Sequence, residues 1–352
     1  MVKLGRIYEI MVCPATRENP RNTEADIIEL RDGSLLLAYT DFYYYSGHDM
    51  APARISGKIS SDRGRSWSPP FTIQENVGVE NVMEGNLLRL QSGEIALFYL
   101  RKDSEADCRP YMRKSFDEGK SWEEAVSMAK FFPGYYTINN SRVIQLSNGR
   151  LLAPVAYTPN VWIISNLTSF CLYSDDNGRT WFNPHALRTY IQGRTEVSLP
   201  NATAEEPGLV ELKDGRVLMI LRTNLGYVYK AYSRDGGLTW TEPEAMGLVS
   251  PRAPATIKRI PTTGDLLMIW NNTLGPRRIP LTAAISKDEG EKWENFRNIE
   301  TDDRYTYAYT SVTFVREAAL LTYYVYDEKA KLISLKLKII PIQWFYEKPQ
   351  EP

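Results

Sequence analysis

Apolar residues come in short runs along this chain, and paired runs are divided by a small polar turn. The copies read Ile27-Ile-Glu-Leu-Arg-Asp-Gly33, Leu87-Leu-Arg-Leu-Gln-Ser-Gly93, Val143-Ile-Gln-Leu-Ser-Asn-Gly149, Leu209-Val-Glu-Leu-Lys-Asp-Gly215 and Ile257-Lys-Arg-Ile-Pro-Thr-Thr-Gly264, each followed by a second apolar run. Apolar runs around Asp-Gly or Asn-Gly predict β-hairpins. A sixth copy, Val312-Thr-Phe-Val-Arg-Glu, lacks the Gly and leads into Leu320-Leu-Thr-Tyr-Tyr-Val-Tyr326. No stretch of helical periodicity competes with this pattern.

A second signature runs in phase with the first. Ser-x-Asp-x-Gly-x-x-Trp occurs at Ser60–Trp67, Ser115–Trp122, Ser174–Trp181, Ser233–Trp240 and Ser286–Trp293, with successive starts 55, 59, 59 and 53 residues apart. The motif reads as turn chemistry rather than catalysis. Asp62, Asp117, Asp176, Asp235 and Asp288 can close a turn by accepting backbone N–H groups, and the Gly supplies positive φ. The Trp folds back as an apolar plug between neighbouring sheets. Each repeat is then about four short antiparallel strands, and a period near 55 residues predicts a radial repeat. Six hairpins and five Trp turns predict an all-β, six-bladed β-propeller of four-stranded antiparallel blades. One domain covers residues 1–352. A ring must be closed, so Arg6–Val12 is expected to pair with the last blade, whose final strand is Leu332–Ile340.

Composition narrows the partners. The formal net charge is −1, which gives no global attraction to nucleic acid or to acidic membranes. No apolar run approaches the roughly 20 residues of a membrane span, and Met1-Val-Lys-Leu-Gly-Arg6 lacks the apolar core of a signal peptide. Cys13, Cys108 and Cys171 are scattered without a CxxC, which argues against a disulfide framework and for a cytoplasmic address. His48 and His185 are the two histidines. Without a Cys/His cluster no zinc site is expected, and no cofactor is implied.

In a propeller the innermost strands converge on a central channel, so the residues that open each inner strand are the candidates for chemistry. They are Arg21, Thr23, Glu24 and Asp26 in the first unit, Glu80, Asn81 and Glu84 in the second, and Asn139, Asn140 and Arg142 in the third. Glu205 and Glu206 follow in the fourth, Arg252 in the fifth, and Tyr305, Tyr307 and Tyr309 in the sixth. Strand alternation places the three tyrosines on one face. Carboxylates, arginines and tyrosines around one channel suit an acidic or polyhydroxylated sugar. A solvated rim of loop residues is the plain alternative. Tyr43-Tyr-Tyr45 reads equally as a sugar-stacking wall or as strand packing.

Over nearly its full length the chain resembles the sialidase (neuraminidase) superfamily, whose Asp-box is the repeated Ser-x-Asp-x-Gly-x-x-Trp turn. Glu205-Glu206-Pro-Gly-Leu-Val-Glu-Leu212 is similar to the family segment that carries the catalytic glutamate, which implies that role for Glu206. The resemblance further implies arginines that grip a substrate carboxylate at Arg222, in Leu218-Met-Ile-Leu-Arg, and at Arg278, with Arg277 adjacent. Tyr309-Thr-Ser-Val312 resembles the nucleophile motif, and Asp49 matches the acid/base aspartate by position. That acid role requires a raised pKa. One departure stands out. The family opens its first inner strand with Arg-Ile-Pro, and here Thr23-Glu24-Ala25 occupies that place, so Arg21, Arg54 or Arg252 is left to supply the third arginine. Glu24 and Glu84 also make the rim more acidic, and Asn140 completes the candidate substrate contacts. Three functions stay open: a retaining exo-glycosidase releasing a sialic or related acidic sugar, a glycosidase of the same fold acting on another uronic or neutral sugar, and a non-catalytic propeller that binds glycans or a protein.

Overall fold

The computed structural model describes residues 6–163 and 166–347; Met1–Gly5, read above for a signal peptide, lies outside them. Among the described residues the chain is all β, apart from one 3-10 turn at Ile342–Tyr346. Strand β1 (Tyr8–Cys13) stands apart in sequence from the first repeat, β2 (Asn22–Glu29), β3 (Leu35–Phe42), β4 (Ala53–Ser60) and β5 (Phe71–Gln74). The second comprises β6 (Asn81–Arg89), β7 (Ile95–Ser104), β8 (Asp107–Ser115) and β9 (Val126–Ser127). The third comprises β10 (Tyr135–Thr137), β11 (Ile144–Gln145), β12 (Leu151–Thr158) and β13 (Thr168–Ser174). The fourth is β14 (Glu205–Glu211), β15 (Val217–Arg222), β16 (Tyr227–Ser233) and β17 (Glu244–Val249), and the fifth β18 (Thr256–Arg259), β19 (Leu266–Asn271), β20 (Leu281–Ser286) and β21 (Glu294–Glu300). The sixth is β22 (Tyr305–Val315), β23 (Ala318–Asp327) and β24 (Leu332–Pro341).

The arrangement is propeller-like, but it is not six separate four-stranded sheets. Units one, four and five are four-stranded meanders, and unit six gains its fourth strand from β1, which pairs antiparallel with β24 as ring closure requires. Units two and three share one eight-stranded sheet, because β10 pairs with β12 and also, through Tyr135 and Cys108, with β8. The physical reason lies in the third inner strand. It breaks into β10 and β11 around Asn139, Asn140, Ser141 and Arg142, which leave the ladder, and the freed first half leans onto the second unit.

Apolar strand faces pack between units that follow one another in sequence. Ile28, Leu36 and Ile55 meet Val82, Leu87 and Leu97; Phe98 and Met112 meet Val155 and Phe170; Cys171 and Leu152 meet Met219 and Leu221. Ile220 and Val228 meet Met268 and Trp270, Leu267 and Ile285 meet Leu321 and Tyr323, and Leu335 and Leu337 return to Ile27 and Leu37. The repeated turns stitch these interfaces. Asp62 Oδ1 accepts the N–H groups of Arg65 and Ser66 at 3.0 and 2.8 Å, and Ser60 Oγ takes the N–H of Gly64 at 2.8 Å. Gly64 sits at φ +87°, in the left-handed region that favours Gly. Trp67, Trp122, Trp181, Trp240 and Trp293 each lodge in the interface with the preceding unit, the first of them with the last unit.

Around the axis the inner strands diverge and cannot pair backbone to backbone, so their N–H and C=O groups find side chains of the neighbouring unit. Thr40 Oγ1 accepts from Glu84 N, Asp26 Oδ2 from Leu87 N and Asn86 Oδ1 from Arg142 N, while Thr313 Oγ1 donates to Ile27 O. The channel is thus lined with polar side chains before any ligand is considered.

Candidate active site

Four inner strands carry a bulge at one equivalent place, three residues before the aligned apolar position. Glu24, Glu84, Glu206 and Tyr309 stand there with φ of 43°, 67°, 47° and 56°, and the strand registers slip beside each of them. A bulge re-aims a side chain that regular alternation would place in the sheet-to-sheet packing. This corrects the expectation for the tyrosines. Tyr307 packs with Tyr323 in the interface between units five and six, whereas the left-handed turn at Tyr309 sends its ring into the channel.

Tyr309 O–H donates to Glu206 Oε1 at 2.9 Å. Arg222 Nη1 donates to Glu206 Oε2 and lies 3.5 Å from the Tyr309 oxygen. The Arg278 guanidinium stands 5.5 Å from the Tyr309 ring centre and donates to Tyr324 O–H at 2.9 Å and to Arg252 O at 3.2 Å. Arg252 Nε donates to Glu205 at 2.6 Å, and Arg222 Nε lies 3.3 Å from the same oxygen. Arg222, Arg252 and Arg278 are therefore neighbours on the side of the channel formed by units four and five. Arg277 turns away to Glu328.

Arg21 is engaged elsewhere. It donates to Asp49 Oδ1 at 2.5 Å and to Glu24 Oε1 at 2.8 Å. Arg54 engages Asp41 at 3.0 Å and the face of Tyr43 instead of the channel group. The main-chain carbonyl of Asp49 is clamped by Asn81 Nδ2 and by the buried Lys102 Nζ, both at 2.8 Å. Asn140 is fully buried, with both Nδ2 donor contacts made to backbone carbonyls. Tyr44 and Tyr45 project into solvent, 74% and 65% exposed, so they do not pack as a strand.

Burial and charge separate the carboxyls of Glu206, Glu24, Glu84 and Asp49. Burial alone would raise Glu206, but the charge and hydrogen bond of Arg222 outweigh it and hold Glu206 below the usual carboxylate range. Burial raises Glu24 despite Arg21, and it raises Glu84 well above its ordinary value, with the like charges of Glu24 and Glu206 adding to it. Tyr309 is pushed up by burial and then by Glu206. Asp49 departs from expectation: partial desolvation is outweighed by Arg21, and its carboxyl sits below the ordinary value rather than above it. Arg142 lies beneath this group with its guanidinium buried and pushed down to about 10 by burial, opposed by Glu206 and Glu84. Its Nε and Nη2 have no protein partner.

Sequence reasoning missed Lys102 and Tyr324. Lys102 lies near the end of β7, after an apolar run, and nothing local marks it; Tyr324 sits in the aromatic run Tyr323-Tyr-Val-Tyr326, where only the pairing of β23 with β22 brings it beside Tyr309.

Comparison with known proteins agrees with this architecture. A family model described as a BNR repeat-like domain matches residues 52–321. A sialidase of Bacteroides fragilis (strain YCH46) is 24% identical over 221 residues, covering 58% of this chain and 37% of that protein. A sialidase of Clostridium perfringens is 23% identical over 237 residues, covering 60% of this chain and 59% of that protein. The chain thus spans between about a third and three fifths of the length of these relatives. Among solved structures, Trypanosoma rangeli sialidase superposes with a TM-score of 0.74 at 16% identity, over 97% of this chain and 60% of that one. At that identity the likeness shows the fold. With the family model lying over most of its length, the chain belongs to the BNR repeat-like domain family, within the sialidase/BNR superfamily.

Proposed function

We propose that this chain is a six-bladed propeller forming one domain over residues 1–352, and that it is a retaining exo-glycosidase of sialidase type releasing a terminal acidic sugar. In this reading the eight-stranded sheet is two fused blades, which the interfaces between successive units support. The observation that carries the catalytic reading is the Tyr309–Glu206 hydrogen bond of 2.9 Å with Arg222 beside both groups. A phenol with an ordinary pKa of about 10 is a weak nucleophile at neutral pH, and here it is higher still. It therefore needs a base in contact, and Glu206, kept ionised by Arg222, is that base. Tyr309 Oη attacks the anomeric carbon as its proton passes to Glu206. The bond to the leaving oxygen breaks, and Asp49 supplies the proton to that oxygen. Water then attacks the anomeric carbon and gives up a proton to Asp49 as the bond to Tyr309 Oη breaks, and the proton on Glu206 returns to the phenol. A tyrosine in place of the usual second carboxylate is an exception within glycoside hydrolysis. It avoids placing a full negative charge against an acidic substrate.

Arg222 and Arg278 grip the substrate carboxylate through charge-assisted hydrogen bonds, with Arg252 as the third arginine. Asp49 becomes a competent acid when the bound glycoside buries it and loosens Arg21, since burial raises a carboxyl. The partner implied is a carbohydrate. A second reading has its own support. Glu24 occupies the place the family gives to an arginine, with Glu84 alongside, and Arg21 is turned to Glu24 and Asp49. That wall favours hydroxyl or amino donors, and so another uronic or neutral glycoside on the same machinery.

The test is hydrolysis of a fluorogenic sialic acid glycoside by the wild type, Tyr309→Phe and Glu206→Gln. The first reading expects turnover that collapses in Tyr309→Phe and falls by about 10²–10⁴ in Glu206→Gln, the usual loss for a general base. A folded wild type that ignores sialic acid glycosides but cleaves a uronic or neutral one favours the second.

A further inference from the structure

Asn140 occupies an unusual place. It lies in the gap between β10 and β11, fully buried, and its contacts reach three other units. Its Nδ2 donates to Ala25 O at 2.7 Å in unit one and to Tyr309 O at 3.0 Å in unit six, while its main-chain N–H donates to Glu84 Oε2 at 3.1 Å in unit two. Two of the three groups belong to left-handed residues themselves, Tyr309 and Glu84, and the third follows left-handed Glu24. A bulky residue in that backbone region is uncommon and persists only where its surroundings over-determine it. At Tyr309 the carbonyl is fixed by Asn140, and the side chain by Glu206.

The residue type fits the task. Two carbonyls from opposite sides of the ring closure need two donors on one short planar head. Asn has them; Ser offers one, an ionised Asp none, and Gln places the head one carbon too far. Both donors being taken, Asn140 has none left for a ligand.

We infer that Asn140 is a positioning residue that holds the left-handed turn at Tyr309, and with it the phenol on Glu206, while fixing the Glu84 carboxyl on the opposite side. Its catalytic consequence rests on the proposed function above; the positioning itself does not. Small displacements of a reacting group cost on the order of 100-fold in rate.

The experiment places fluorotyrosine at position 309 of the full chain and reads its ¹⁹F resonance in wild type, Asn140→Asp and Asn140→Ala, with circular dichroism as the folding control. Asp preserves the shape while removing donors, and Ala removes the head without adding charge. The expected result is a shifted or broadened resonance in both. For whichever glycoside the wild type cleaves, kcat falls about 100-fold with KM within about threefold. An unmoved resonance in folded variants overturns the inference, as does a raised KM at unchanged kcat, which belongs to a residue touching the ligand. A wild type that cleaves no glycoside defeats the functional reading alone, and the resonance still decides Asn140.

Discussion

Replacing Arg222 by Met leaves the buried Glu206 carboxylate without its ion-pair partner, while Glu205 keeps Arg252. Arg222 is 12% exposed in its side chain, and its partners Glu205 and Glu206 are 9% and 10% exposed. Removing one partner of a buried pair costs about 3–5 kcal/mol, because the charge left behind stays desolvated. For a 352-residue chain an unfolding entropy of about 2.1 cal/mol/K per residue gives roughly 0.7 kcal/mol per degree, so Tm drops by about 4–7 °C. The loss depends on pH. With Arg222 gone, burial becomes the dominant influence on Glu206, and a carboxyl that sits below its usual range rises above it. A raised folded-state pKa gives stability below the unfolded value that is lost as pH rises. The gap to wild type is therefore wider at about pH 8 than at about pH 5. The assay is thermal and urea denaturation at both pH values for Arg222→Met, Glu206→Gln and the double variant. The double variant carries no stranded Glu206 charge and should recover a large part of the loss, a coupling that a double-mutant cycle measures directly. In turnover, the acidic limb of the pH–rate profile of Arg222→Met moves to higher pH. A single variant within about 1 kcal/mol of wild type, or a double variant that loses the plain sum of the two singles, would refute the buried-pair reasoning.

Other consequences are equally direct. Glu84→Gln removes a carboxyl whose pKa is raised first by burial and then by Glu24 and Glu206; its Tm advantage over wild type should grow as pH rises above about 5, and an advantage that shrinks contradicts the assignment. Arg21→Met frees Asp49, so the carboxyl rises and the alkaline limb of the pH–rate profile moves up; an unchanged limb removes Asp49 as the proton donor. Gly215→Ala and Gly178→Ala both carry left-handed strain of about 1–2 kcal/mol. A Cβ at Gly215 meets open space, while one at Gly178 falls 2.3 Å from the buried Met112 Sδ, so denaturation should show about 1–3 kcal/mol more loss at Gly178. Equal losses would show that Met112 moves aside freely.

Much of the architecture is written locally. The hairpins need only alternating apolar runs around a turn, and the Trp turns need only a Ser, an Asp and a Gly a few residues apart, so both are legible without tertiary knowledge. Pairing of β1 with β24 followed from the topological demand for closure. The fusion of units two and three was not legible, because it depends on how Asn139–Arg142 leave the ladder to line the channel. The same limit applies at the site. Glu206, Arg222, Arg278 and Tyr309 come together as the motif resemblance implied. Nothing in the residue types at Glu24, Glu84 or Tyr309 announces positive φ, since none is Gly. Arg54 and Arg252 look alike in sequence, yet Asp41 takes one away from the channel and Glu205 holds the other in it. Asn140 reads as a polar channel residue, and only the convergence of Ala25, Tyr309 and Glu84 gives its donors a destination.

The pairing of β1 with β24 also bears on how the molecule is made. At about 5–20 residues per second of synthesis, β1 emerges tens of seconds before the strand that will cover its edge. During that interval its N–H and C=O groups are open to any passing strand. Alternation along β1 tempers the hazard, since Glu9 faces the solvent side that later meets Lys336 and Lys338. The latch that completes the ring thus waits for the last strand of its sheet, and conditions that slow elongation prolong the time in which a nascent chain can be captured by a neighbour on the same message.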